Sequence, residues 1–116
     1  MTAVTLNAVT EEMPLAQARR VRAQFIFDSY LEWREAAAHY ATGATGDAAK
    51  DPPYLDWLRG ALRRLDVVLI EGTRAGAEES WEGRVRDELK PHREGLAQIN
   101  PEEFDNPSLR ELIRGN

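Results

Sequence analysis

Leu55, Leu58, Leu62, Leu65 and Leu69 recur at steps of three and four residues. That spacing stacks side chains on one face of an α-helix. Tyr54, Trp57, Ala61 and Val68 widen the seam, while Arg59, Arg63 and Arg64 lie off it. A face this apolar has to be covered, so the rest of the chain is expected to be organised around burying residues 51–72. Asp51 and Pro52 supply an N-cap and a first-turn proline for that helix. Gly60 lies inside it at a cost of about 1 kcal/mol relative to Ala, which a close helix crossing would justify.

The flanking segments read in the same way. Residues 1–10 carry few helix signals and are expected to form an N-terminal arm. Thr10-Glu11-Glu12 has the cap and acidic first turn of a helix start, and Pro14 is tolerated only there. The first helix is expected to run to about residue 41. The stretch 42–50, TGATGDAAK, has no large apolar residue and reads as the most flexible internal loop. Gly72 is expected to end the leucine helix in a left-handed conformation. Residues 77–99 then form a third helix that Pro91 kinks or splits. Asn100-Pro101 and Asn106-Pro107 are two further cap-plus-proline starts. The second of these opens a last helix, which Gly115 closes. Outside the first nine residues no segment sustains a strand alternation. The fold expected is all-α: a small helical bundle built on a long antiparallel hairpin (11–41 and 52–72), with a kinked third helix and a short C-terminal helix. Residues 11–116 are expected to form one domain.

The first helix has apolar residues on two sides. The larger arc holds Leu15, Ala18, Phe25, Ile26, Tyr30, Trp33, Ala36, Ala37 and Tyr40, with Arg22 in its middle and needing a carboxylate if buried. Phe27, Leu31 and Ala38 lie roughly opposite. In the third helix Val85, Leu89, His92, Leu96 and Ile99 form a narrow 4-3-4-3 stripe, close to a coiled-coil seam. These two features predict a homodimer or a hetero-complex whose interface uses Phe27, Leu31, Val85, Leu89, His92 and Leu96. An interfacial His92 would tune association near neutral pH.

The formal charge is −5, with 20 acidic and 15 basic residues, which argues against a nucleic-acid protein driven by bulk charge. Thirteen of the basic residues are Arg, most simply explained by a GC-rich, bacterial-like genome. Arg19, Arg20, Arg59 and Arg63 remain candidates for phosphate contacts in the less favoured nucleoprotein reading. The chain has no cysteine, hence no disulfide framework and no thiolate ligand or nucleophile. Nothing resembles a signal peptide, and no segment nears the roughly 20 apolar residues of a membrane span. A cytoplasmic protein is expected.

Asp28, Glu32, Glu35 and His39 follow a 4-3-4 spacing that would place all four on one helix face. Carboxylates with a histidine suit iron, manganese or zinc in a helical bundle. A solvated acidic stripe is the simpler reading, and no cofactor is expected. There is no nucleophile elbow, phosphate loop or dinucleotide fingerprint. Trp81-Glu82-Gly83 after a glycine break looks in outline like the turn of the small secreted helical hairpins with a Trp-x-Gly motif. Pro91 and the long first helix depart from that pattern, so the family is not carried over. The function expected is that of a non-enzymatic interaction or assembly protein, with a helical-bundle metal protein or enzyme as the alternative.

Overall fold

The computed structural model describes residues 15–74 and 78–115; the side chains of Ala16, Arg19, Arg74 and residues 78–80 are not described. The N-terminal arm, the Thr10 cap, Pro14 and residues 75–77 of the glycine break fall outside the described residues. The helices are α1 (Leu15–Glu35), α2 (Ala38–Ala41), α3 (Pro52–Arg74), α4 (Glu78–Leu89), α5 (Arg93–Leu96) and α6 (Pro107–Arg114). Short 3-10 turns occupy Gly46–Lys50, Lys90–His92 and Pro101–Glu103. The described residues contain no strand, so the architecture is a small all-α bundle.

The leucine seam is the centre of the fold. Leu58, Leu62, Leu65, Val68 and Leu69 of α3 are completely enclosed. Around them pack Ala23, Phe27 and Tyr30 from α1, Trp81, Val85 and Leu89 from α4, and Leu109, Leu112 and Ile113 from α6. Helices α1 and α3 run side by side, with Trp33 stacked on Trp57 at 5.5 Å. Helix α4 closes over both, placing Trp81 5.6 Å from Phe27.

Local signals set most helix ends. The Asp51 carbonyl accepts the Leu55 N–H at 2.9 Å, opening α3 with Pro52 in its first turn. Asn100 caps the turn at Pro101 by accepting from the Glu102 N–H. Asn106 caps α6 by accepting from the Leu109 N–H, and Gly115 ends α6 at φ +91°. Pro91, which lacks an N–H, ends α4 at Leu89 and tightens the chain into a 3-10 turn before α5.

Several expectations are corrected. Helix α1 stops at Glu35, where Ala36 and Ala37 bond to carbonyls three residues back. Gly72 does not end α3, which continues to Arg74. Its role is spatial, because a Cβ there would stand 2.5 Å from the Trp81 ring. Most of the arc expected on the first helix faces the core, with Ala18 and Tyr30 buried and Ile26, Trp33, Ala37 and Tyr40 packed against it, but Phe25 and Phe27 exchange places. Phe27 is 7% exposed and Phe25 is 56% exposed, while Arg22 points to solvent and needs no buried partner. Trp81-Glu82-Gly83 lies within α4, not in a turn. The loop 42–50 is anchored: Gly46 N–H donates to Glu94 Oε1 at 3.0 Å, and Ala49 is buried.

Candidate functional site

Helices α4 and α5 and the 3-10 turn between them meet α6 along an open groove of about 320 Å³. Its floor is formed by Leu89, Leu96, Leu112 and Ile113, all members of the main core. Its rim carries Arg86, Lys90 and Arg93, spaced i, i+4 and i+7 across the Pro91 break. Pro91 ends α4, so Arg93 opens a separate short helix. Among the described residues Arg86 has one local pair, 3.4 Å from Glu82. Lys90 is 3.3 Å from Asp87, both being well exposed. Arg93 makes no ion pair among the described residues. The groove thus joins an apolar base to three accessible cations in a chain whose formal charge is −5.

Two polar clusters draw on three helices and the turn. The Tyr30 hydroxyl donates to Glu88 Oε1 at 2.9 Å, and Arg34 donates to the same oxygen. Burial, reinforced by Glu88, pushes the Tyr30 hydroxyl well above its ordinary range. One turn beyond Glu88, His92 Nδ1 lies 2.7 Å from the Tyr54 hydroxyl. Assigning the hydroxyl proton to this bond places the ring proton of a neutral His92 on Nε2. Burial raises the Tyr54 pKa, and a backbone hydrogen bond from Ala44 acts in the opposite sense. Burial also lowers the His92 pKa; Glu88 opposes that shift and Arg34 adds to it. The first cluster ties α1 to α4, and the Tyr54–His92 pair ties α3 to the turn after α4.

The Tyr54–His92 pair has a pH consequence. His92 is held below its ordinary value of about 6.5, so below that pH the unfolded chain binds the proton more readily than the folded one. Its contribution to stability is complete above about pH 6.5 and declines as pH falls toward the lowered folded value. Urea midpoints measured between about pH 7.5 and 5.5 are expected to fall in the native chain and to fall less in His92→Gln. Equal slopes in the two proteins would disprove it.

The structure separates the residues singled out from the sequence. Phe27, Val85, Leu89, His92 and Leu96 are buried in the chain's own core, and Leu31 is half-buried against it. Phe27, Val85 and His92 are enclosed by the chain itself, whereas Leu89 and Leu96, 4% and 7% exposed, reach the floor of the groove. The set Asp28, Glu32, Glu35 and His39 is also not assembled. Asp28 accepts from Gln24 at 2.8 Å, and Glu35 lies 4.0 Å from Arg34. His39 sits on α2, beyond the break at Ala36–Ala37, with its ring 4.1 Å from Tyr40. The 4-3-4 spacing shares a face only on an uninterrupted helix. Among the described residues no group of three or more acidic or histidine side chains could hold a metal.

The arginines do not gather either. Arg20 and Arg63 are exposed, and the side chain of Arg19 lies outside the described residues. Arg59 is held between Asp56 at 3.6 Å and Glu103 at 3.8 Å. It lies near the Trp33 end of α1, about 20 Å along the axis from Arg20. The rim residues Arg86, Lys90 and Arg93 were not singled out in the sequence. Their helical spacing was the available signal, hidden by Pro91 and by the acidic neighbours Asp87, Glu88 and Glu94.

No helix among the described residues is long and apolar enough to cross a membrane. No protein-family model matches the chain, and no curated protein or solved structure matches it.

Proposed function

We propose that this chain is a non-enzymatic interaction domain, a small helical subunit or adaptor that receives a partner protein in the groove between α4–α5 and α6. The observation that carries this reading is the convergence of Arg86, Lys90 and Arg93 around an apolar floor. Cations held beside leucine side chains serve binding: the floor supplies buried apolar area, and the rim supplies orientation and on-rate.

The test is site-specific photocrosslinking in cells of the host. With p-benzoylphenylalanine placed at Asp87, exposed and 3.3 Å from Lys90, all three rim cations are kept and a discrete protein adduct is expected. With the same label at Asp28 or Glu32, on the exposed side of α1, none is expected. No adduct from the groove, or equal labelling from α1, would overturn the proposal.

A further inference from the structure

We infer that the occupant of the groove is an acidic amphipathic helix of another protein, with aliphatic anchors on one face and carboxylates flanking them. The inference rests on the reading of the groove as a docking site and adds the chemistry of the partner. The floor residues Leu89, Leu96, Leu112 and Ile113 present side chains without hydrogen-bonding groups. A segment laid on that floor has to satisfy its own backbone N–H and C=O groups, and a helix does so internally. An extended strand needs a sheet edge to pair with, and the described residues contain no strand.

The rim selects the sign of the partner's charge. Arg86 lies before the Pro91 break, Lys90 in the turn and Arg93 after it, and all three line the groove. Carboxylates repeated every three or four residues along a docked helix would face them. The rim cations are available for them. The Arg86–Glu82 and Lys90–Asp87 pairs are loose and solvent-exposed, and Arg93 has no ion-pair partner among the described residues. Elsewhere the chain is net acidic, with a formal charge of −5 overall. An acidic segment meets three cations at this edge of a chain that is otherwise net acidic, which favours its docking here.

The probe is a labelled peptide of roughly five turns, with Leu at i, i+3, i+4 and i+7 flanked by Glu. Two companions are made, one with Lys in place of every Glu and one acidic peptide broken by a central Pro. Fluorescence anisotropy is expected to show the acidic helix binding at least about tenfold tighter than either companion. That binding is expected to weaken about tenfold or more in Arg93→Glu and to fall as salt is raised. Lys90→Glu, also at an exposed position, is a second variant, and circular dichroism confirms that both remain folded. Equal affinity for the acidic and lysine peptides would overturn the inference, as would acidic-peptide binding that neither variant changes. Sedimentation with phosphatidylglycerol vesicles in place of peptide binding would assign the rim to a lipid surface and also overturn it. A crosslinked adduct of twice the chain mass would make the occupant a second copy, with the same consequence. If groove crosslinks form but the acidic peptide fails, the partner's chemistry is wrong while the docking reading stands. If no groove crosslink forms, the docking reading itself fails.

Discussion

Phe27→Asp is expected to unfold the domain, whereas Phe25→Asp, two residues earlier, is expected to leave it intact. Phe27 is 7% exposed and packs against Tyr30 and Trp81. Removing a buried Phe side chain costs about 3–5 kcal/mol through lost transfer and the cavity left behind. Placing a carboxylate there adds the cost of burying a charge. Arg84 is the nearest cation, with its guanidinium 5.7 Å from the Phe27 ring, and Asp is too short to meet it without leaving the core. The total approaches the roughly 5–15 kcal/mol by which whole domains are stable. Phe25 is 56% exposed, and a polar surface substitution there should stay within about 0.5 kcal/mol. Urea denaturation followed by circular dichroism reads both. A folded Phe27→Asp protein, or an unfolded Phe25→Asp protein, would show that α1 is docked in another phase.

Gly43→Ala should be the costliest single-methyl change in the interhelical loop, and Gly46→Ala its mild counterpart. Both glycines have positive φ, +82° and +60°. A left-handed conformation alone costs a non-glycine residue about 1 kcal/mol. At Gly46 nothing lies within 4 Å of an added Cβ, so that conformational cost should be all that appears. At Gly43 the Cβ would stand 1.8 Å from the Pro91 carbonyl oxygen. That oxygen is backbone in the turn that carries His92, so it cannot retreat without disturbing the Tyr54–His92 hydrogen bond. A loss of about 3 kcal/mol or more is expected, or roughly 10 °C in Tm. Equal Tm values for the two variants would mean that the loop is not clamped on Pro91.

The two pairs show where sequence periodicity stops being informative. In α3 the leucines fall on one side with arginines on the other, so a single docking phase satisfies the pattern. In α1 apolar residues lie all around: Phe25, Ile26, Phe27, Tyr30, Leu31 and Trp33 offer several stripes of similar size. Successive helical residues differ by about 100°, so Phe25 and Phe27 face directions about 200° apart. Choosing the arc with Phe25 therefore placed Phe27 outside. The choice is made by α4, whose Trp81 and Glu88 meet Phe27, Tyr30 and Arg34. Nothing local to α1 encodes those contacts, which join residues more than 50 positions apart.

Buried polar groups were equally hard to read. Asp66 sits in the leucine helix and is 8% exposed. Its carboxylate accepts the backbone N–H groups of Asn106 at 2.9 Å and Asp105 at 3.2 Å, tying α3 to the start of α6. In the sequence it looks like one more charge beside the seam. The loop 42–50 read as flexible for its small residues, yet those small residues are what let it approach Pro91 closely.

The sequence alone determined the all-α class, the leucine helix at the centre, the proline break at 91 and the asparagine caps at 100 and 106. Each of these depends on neighbours within one or two helical turns: side-chain periodicity, a missing N–H, a cap next to its helix. Only the tertiary structure decided that Phe27 and not Phe25 enters the core, that His92 is internal, and that Arg86, Lys90 and Arg93 border an apolar groove. Those features arise from packing between distant segments, where shape and buried hydrogen bonding outweigh local preference.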